Sequence, residues 1–144
     1  MKKIPDKRNN YLKFYKLNTR WKDNDIYGHV NNVVYYEYFD TSVNLWLIEN
    51  NLLNLQEARY VGYIVESGCN YFSPISHPSE IFIGIKASKV GNSSVTYKCA
   101  VFKDSLDECS AQGFFTHVYV DRKKEISKPI SLRFREKLKL ITLD

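Results

Sequence analysis

Hydrophobic and polar residues alternate along four stretches of the chain between Val61 and Asp121. From Glu80 to Val90, apolar side chains recur at every second position, and the same period runs through Ser94 to Lys103. A period of two is typical of a β-strand that buries one face. The pattern predicts strands at 61–72, 80–90, 94–103 and 109–121, and a further strand near the N-terminus at 12–21.

The stretch from Asn32 to Glu49 has a different pattern. Its apolar residues go most of the way round a helical projection, and Glu37, Asp40 and Asn44 are the polar minority. This distribution predicts one long helix that is buried on several sides. Such a helix needs a sheet to wrap around it, and consecutive hairpins make that sheet antiparallel. The expected architecture is α+β, a five-stranded antiparallel sheet around one central helix, in the order β-α-β-β-β-β.

The length of 144 residues suits one domain, here 1–144, with a core of its own. Residues 1–10 are polar and basic and are predicted to form a loose arm. The C-terminal tail, 129–144, mixes apolar and basic residues. Its pattern fits either a short amphipathic helix or an extra strand.

The polar loop between the first strand and the helix carries the candidate chemistry. It holds two acids, Asp23 and Asp25, then Gly28, whose freedom suits a tight turn. Either Asn31 or Asn32 is suited to cap the helix that follows. Because the free amides of a helix start favour negative charge, the loop brings a carboxylate close to unpaired N–H donors. That pairing can attack or polarise a carbonyl group.

The pattern D-x-D-x-x-G-H-V-N-N at 23–32, followed by Tyr35 and Phe39, resembles the signature of hotdog-fold acyl-CoA thioesterases. Within that superfamily it is similar to the 4-hydroxybenzoyl-CoA thioesterase-like group. Two later segments, 66–74 and 115–121, resemble strands of the same group, so the likeness covers about 12–121. The resemblance implies the hotdog fold and hydrolysis of an acyl-CoA to a carboxylic acid and coenzyme A. It implies no metal and no cofactor, since coenzyme A is part of the substrate.

The resemblance assigns the catalytic role to Asp25, as the nucleophile or as the general base that activates water. Without the resemblance, Asp25 reads as a loop acid that caps the helix. Asp23 matches the first acid of the motif and is expected to hold the loop through hydrogen bonds. The backbone N–H near Asn32 is expected to polarise the thioester carbonyl, a role that is compatible with capping.

The remaining candidates are substrate-binding residues. Gly28 and Asn31 complete the loop, and His29 is a candidate base or hydrogen-bond donor to the thioester. Tyr35 either lines the acyl pocket or packs in the core. Glu66 either faces the pocket from a partner subunit or faces solvent at a sheet edge.

The net charge of +5 and pI near 9.0 raise the possibility of nucleic-acid binding. The positive excess lies at the two chain ends and the middle is nearly balanced, which disfavours that interpretation. Attraction to polyanionic coenzyme A fits equally well, and so does solubility alone. The hairpin at 90–93 lacks the basic cluster that relatives use for coenzyme A phosphates.

Three cysteines, Cys69, Cys99 and Cys109, are widely spaced without a C-x-x-C motif, which disfavours a zinc or redox site. A reducing cytoplasm is the simplest location, and no apolar run predicts a membrane span or signal segment. The resemblance also implies a homo-oligomer, a dimer or tetramer with the pocket between subunits. Two other functions stay open: a hotdog dehydratase or hydratase, and a non-enzymatic acyl-CoA-binding module.

Overall fold

One antiparallel sheet and two helices make up the fold in the computed structural model, which describes residues 2–143. The strands are β1 (Lys13–Asn18), β2 (Tyr60–Tyr71), β3 (Glu80–Val90), β4 (Ser94–Lys103), β5 (Ala111–Asp121) and β6 (Ile126–Ser127). The helices are α1 (Asn32–Glu49) and α2 (Leu132–Lys139). The strands lie in the order β1-β3-β4-β5-β2, and the short β6 pairs with β5. This curled sheet with one long helix is the predicted hotdog arrangement.

Helix α1 has the predicted bounds, but the structure corrects its predicted burial. One face is buried against the sheet, at positions that recur every three or four residues: Tyr35, Tyr38, Phe39, Ser42, Val43, Trp46 and Leu47. The opposite side stays open, and Val33 there is 68% exposed. The sheet covers one side of the helix, so apolar residues elsewhere on α1 are partly buried, as Val34 and Tyr36 are, or exposed, as Val33 is.

The core lies between α1 and the inner face of the sheet. Ile81, Ile83 and Ile85 alternate along β3 and are fully buried, as the period of two predicts. They pack in one cluster with Phe39 and Val43 of the helix. The cost of ordering one long helix is therefore offset by apolar burial along its whole inner face.

Strand bounds agree with the prediction within a few residues, and the Gly91 turn joins β3 to β4 as expected. Strand β1 ends at Asn18 rather than Trp21 because residues 21–23 form a turn of 3₁₀ helix. Strand β5 begins at Ala111, so Cys109 and Ser110, which the pattern included in the strand, precede it. The sheet also has a sixth strand, β6, which is only two residues long.

The N-terminal segment differs from the predicted loose arm. The Cys109 N–H donates to the Asp6 carbonyl, and the Arg8 N–H donates to the Asp107 carbonyl. The Gln112 side chain bonds both the Asp6 N–H and the Ile4 carbonyl. The segment is therefore fastened to the turn between β4 and β5, by backbone groups whose partners a local pattern does not reveal.

The C-terminal tail forms a short helix, α2, which is one of the two structures that its pattern predicts, and the strand β6 precedes it. The Ser131 hydroxyl caps α2 by accepting from the Phe134 N–H at 3.1 Å. Phe134, Leu138 and Ile141 are buried in the main core, so the tail closes the end of α1. No helix among residues 2–143 is long and apolar enough to cross a membrane.

His117 lies on the inner face of β5 and is only 3% exposed. Burial lowers the pKa of its imidazole to about 4. The folded protein therefore holds the ring neutral over a pH range in which the unfolded chain, with a histidine pKa near 6.5, takes up a proton.

We expect the free energy of unfolding to fall as pH drops from about 6.5 towards 4, because protons bind the unfolded state preferentially in that range. The difference in pKa corresponds to about 3 kcal/mol when the whole range is crossed. Urea unfolding at several pH values between 7.5 and 4.5 measures this loss. His117→Phe should flatten the profile, and an unchanged slope in that variant would contradict the assignment.

Candidate active site

Asp23 organises the loop between β1 and α1. Its carboxylate is fully buried and accepts hydrogen bonds from the Arg20 N–H at 2.9 Å and the Tyr38 hydroxyl at 2.7 Å. The Arg20 guanidinium donates to the other oxygen at 3.0 Å and 2.9 Å. The Asp23 carbonyl accepts from the Asn31 N–H. One buried acid thus joins the end of β1, the helix start and the first turns of α1.

The environment of Asp23 keeps it ionised. Desolvation acts to raise its pKa, but the hydrogen bonds from Tyr38 and from the backbone and guanidinium of Arg20 outweigh desolvation and lower it. A buried charge with four donors is satisfied rather than reactive. This geometry agrees with the structural role expected for Asp23, which is to hold the loop through hydrogen bonds.

Asp25 lies two residues further on, at the start of a tight turn. Its carbonyl accepts from the Gly28 N–H at 3.1 Å, and its N–H donates to the His29 carbonyl at 2.9 Å. Gly28 has φ +78°, a backbone conformation that residues other than glycine rarely adopt. This agrees with the tight turn that the sequence predicts. The turn leaves Asp25 half-buried, and the Oδ1 of its carboxylate accepts from the Tyr27 N–H at 2.9 Å. Within residues 2–143, the other oxygen, Oδ2, has no hydrogen-bond partner.

The helix start leaves one amide free. Asn31 is the N-cap, and its side chain accepts from the Val33 N–H at 3.1 Å. The Val34 N–H donates to the Asn31 carbonyl. The N–H of Asn32, the first residue of α1, has no partner among the described residues, and Asn32 is exposed. This N–H is available to an oxyanion or carbonyl oxygen, and the helix dipole adds to its positive field.

A cavity of about 420 Å³ joins these groups. The cavity is lined by Asp25, Tyr27, His29, Val30, Asn32, Tyr35, Tyr71, Phe72, Ser73 and Pro74. It combines one carboxylate, one free helix-start amide and several aromatic rings. That combination can hold an apolar group beside a reacting carbonyl.

The structure brings four of the predicted residues together at this cavity: Asp25, His29, Asn32 and Tyr35. The other three lie outside its lining. Gly28 uses its N–H to close the Asp25 turn, and Asn31 uses its side chain as the cap. Glu66 is exposed on β2, at a bulge in the pairing with β5.

The sequence interpretation missed the wall of the cavity that follows β2. The Tyr71 hydroxyl donates to the Asn32 carbonyl at 3.0 Å, and its ring packs edge-on against Tyr35 at 5.1 Å. Ser73 and Pro74 complete this wall. Tyr71 lies in one of the segments that carry the resemblance, but only the paired sheet shows that it meets the helix start.

Comparison with known proteins gives the family. The model of the thioesterase-like superfamily matches residues 19–138, which include the whole cavity. The chain belongs to this superfamily. The match confirms the predicted family and the predicted enzyme class, a thioester hydrolase.

Two solved structures and one curated relative illustrate the likeness. The PA5185 protein of Pseudomonas aeruginosa is 42% identical, with a TM-score of 0.92 over 96% of this chain and 97% of that one. A Thermus thermophilus thioesterase, solved with coenzyme A and zinc, is 23% identical, with a TM-score of 0.75 over 90% of this chain and 93% of that one. The uncharacterized protein YsmA of Bacillus subtilis is 28% identical over 83 residues, 58% of this chain. The match spans only 56% of the length of YsmA.

Within residues 2–143, no three His, Cys, Asp or Glu side chains are grouped closely enough to hold a metal ion.

The architecture of the loop predicts that Asp23→Asn destabilises the protein. The substitution removes the charge that Arg20 and Tyr38 donate to, which costs about 1–3 kcal/mol for a buried group. Chemical unfolding at pH 7 measures the loss. Because the pKa of Asp23 is lowered by folding, the wild-type advantage should be complete above the ordinary pKa near 4 and disappear as pH falls below it.

Glu37→Gln is the matched control, since Glu37 also pairs with Arg20 but at the surface. An exposed pair contributes about 0–1 kcal/mol, so this variant should be nearly as stable as wild type. Equal losses of unfolding free energy in the two variants would show that the burial of Asp23 does not contribute to stability and would contradict the prediction.

Proposed function

We propose that this superfamily member is an acyl-CoA thioesterase in which Asp25 supplies the nucleophile or general base. The observation that carries the proposal is the meeting of the Asp25 carboxylate and the free Asn32 N–H at one cavity. Thioester hydrolysis needs both a group that attacks or activates water and a donor for the developing oxyanion. The family membership and the coenzyme A bound in the Thermus thermophilus thioesterase support this choice of substrate.

The reaction has two balanced routes at this site. In the first, Asp25 takes a proton from water, the hydroxide oxygen bonds to the thioester carbon, and the C–S bond breaks. The coenzyme A thiolate leaves and takes the proton from Asp25, which restores the carboxylate. In the second, the carboxylate itself attacks the carbon and expels the thiolate. Water then hydrolyses the resulting anhydride and restores Asp25. In both routes the carbonyl oxygen becomes negative and accepts from the Asn32 N–H.

His29 and Tyr35 have supporting places in this proposal. His29 is exposed at the mouth, where it can donate to the substrate, while Tyr35 is buried and presents its ring to the acyl group.

We expect Asp25→Asn to lower kcat by about 10²–10⁴-fold, the usual loss when a general base is removed. The Asn side chain can still accept from the Tyr27 N–H, so the turn should fold. Substrate binding should persist because the cavity and the Asn32 N–H are untouched. Thiol release from a panel of acyl-CoA substrates measures kcat, and thermal melting checks folding.

Asp107→Asn is the matched control, because Asp107 is an exposed carboxylate in the turn between β4 and β5, which does not line the cavity. It should leave kcat unchanged. A folded Asp25→Asn enzyme with near wild-type kcat would show that Asp25 is only a loop acid and would refute the mechanism.

We also propose that two copies pair through β2. This strand is at the end of the sheet order, so its outer N–H and C=O groups are unpaired within residues 2–143. Its middle is apolar and open: Val65 is 62% exposed, and Tyr63 and Ile64 are about half exposed. Tyr27, at the mouth of the cavity, is 79% exposed. One two-fold contact along β2 would cover these surfaces together.

Antiparallel overlap of both β2 strands along their full length would place Tyr60 of one copy opposite Tyr71 of the second copy. The cavity beside Asp25 would then lie next to the first residues of the second copy's β2. This arrangement makes each site dependent on two subunits, as the predicted homo-oligomer requires.

We expect wild-type protein at micromolar concentration to have about twice the 16.9 kDa chain mass, or four times that mass if dimers pair again. Val65→Lys places a charge on the proposed contact and should shift the mass to that of one chain. Leu106→Lys, in the exposed turn between β4 and β5, is the control and should not alter the mass. Light scattering distinguishes these cases, and a monomeric wild type would contradict the proposal.

A further inference from the structure

Tyr71 is the last residue of β2, and its side chain contacts the first turn of α1. It pairs with Ala111 of β5, so the register of the sheet fixes the point from which the side chain extends. The hydroxyl donates to the Asn32 carbonyl at 3.0 Å, and the residue lines the cavity beside Asp25. A side chain of the sheet therefore holds the residue whose N–H is the proposed oxyanion donor.

The hydrogen bond between Tyr71 and Asn32 has only one possible direction. A carbonyl oxygen can only accept, so the hydroxyl must donate. Burial raises the pKa of Tyr71, and the Cys69 thiol adds to the shift, so the hydroxyl keeps its proton at neutral pH. Because the Asn32 carbonyl holds that proton, Tyr71 is not free to act as an acid towards a substrate. What it contributes is a fixed position for the helix start.

A row of three tyrosine rings connects this hydrogen bond to the buried acid of the loop. The Tyr71 ring packs edge-on against Tyr35 at 5.1 Å, and Tyr35 packs edge-on against Tyr38 at 6.2 Å. The Tyr38 hydroxyl in turn donates to Asp23. Tyr35 and Tyr38 are almost fully buried, so the row cannot shift without disturbing the core. The packing thus sets the place of the Tyr71 ring.

The start of α1 is held from two directions. On the loop side, the Asp23 carbonyl accepts from the Asn31 N–H. On the sheet side, the Tyr71 hydroxyl holds the Asn32 carbonyl. The first turn of a helix lacks intrahelical partners for its N–H groups, and helix ends fray. Restraints on two consecutive residues fix the peptide group between them, and that peptide group carries the free Asn32 N–H.

We propose that Tyr71 is a positioning residue that aligns the Asn32 N–H with the thioester carbonyl. This role rests on the proposed function, because it concerns the same oxyanion contact. A donor stabilises a developing charge best when it is already in place, and a misplacement of about 1 Å can cost about 10²-fold in rate. Tyr71 also ends the strand of the proposed subunit contact, so the alignment of the donor depends on β2.

Tyr71→Phe removes the hydroxyl and keeps the ring against Tyr35. Tyr71 is about half exposed, so water can solvate the Asn32 carbonyl in the variant, and the protein should fold. We expect kcat and kcat/KM to fall together by about tenfold, less than the loss of about 10²–10³-fold when an oxyanion donor is removed outright. Thiol release from the acyl-CoA panel measures both constants.

A second measurement needs no substrate. The NMR order parameter of the Asn32 amide should fall in Tyr71→Phe, because the first turn of α1 loses its restraint from the sheet. Nitrogen relaxation of the full protein measures this order parameter.

Tyr15→Phe is the matched control. The Tyr15 hydroxyl also makes one hydrogen bond to α1, but it donates to Glu49 at the opposite end of the helix, at 2.7 Å. A bond to a carboxylate is at least as strong as one to a carbonyl, so this variant should lose at least as much stability as Tyr71→Phe. Its kcat and its Asn32 order parameter should stay at the wild-type values.

Three results would overturn the positioning role. A folded Tyr71→Phe enzyme with wild-type kcat would do so, as would a raised KM with unchanged kcat, which would make Tyr71 only a wall of the cavity. Equal losses of kcat in Tyr71→Phe and Tyr15→Phe would trace the effect to stability.

The order parameter separates this role from the proposed function. A more mobile Asn32 amide in Tyr71→Phe, with no hydrolysis of any acyl-CoA by wild type, would support the restraint and refute the proposed function. Hydrolysis by wild type with an unchanged Asn32 amide in Tyr71→Phe would refute only the positioning role.

Discussion

The buried Asp23 carboxylate is the constraint on which the site depends. It is surrounded by the Arg20 N–H, the Arg20 guanidinium and the Tyr38 hydroxyl, and its own carbonyl holds the Asn31 N–H. These bonds fix the distance between the end of β1 and the start of α1. The neighbouring acid, Asp25, can then remain partly open on a rigid turn. Two acids two residues apart thus have opposite surroundings. The carboxylate of Asp23 has all its hydrogen bonds made within the protein, whereas the carboxylate of Asp25 keeps one oxygen available to a substrate or water.

Incomplete coverage of the helix and sheet is the second organising fact. The sheet wraps one face of α1 and leaves Val33 open, while β2 ends the sheet with exposed apolar side chains. The cavity beside Asp25 lies between the start of α1 and the end of β2, the two elements that are left partly uncovered within residues 2–143. In the β2-paired dimer that we propose, a site at such an edge would gain a wall from the second copy. Variation in β2 can then alter the pocket without disturbing the buried core of β3 and β4.

The sequence by itself determined most of the fold, because the deciding signals are local. The period of two in β3 and β4 and the apolar run of α1 gave those elements their observed bounds. The loop motif also identified Asp25 and Asn32, since an acid before a glycine turn and a helix start must lie near each other. The roles of Asp23 and Asp25 could be distinguished only through the family resemblance, because both are acids in one short loop.

Tertiary structure decided what depends on long-range partners. Tyr71 is 39 residues from Asn32 in the chain, and no local pattern shows that its hydroxyl meets the helix start. The N-terminal segment looked loose because its partners lie near Asp107, about 100 residues away. Only the three-dimensional neighbourhood of Tyr97 and Tyr119 shows that His117 is buried with its Nε2 unpartnered within residues 2–143. Periodicity determines which face of a strand is buried, but the sheet pairing determines what that face meets.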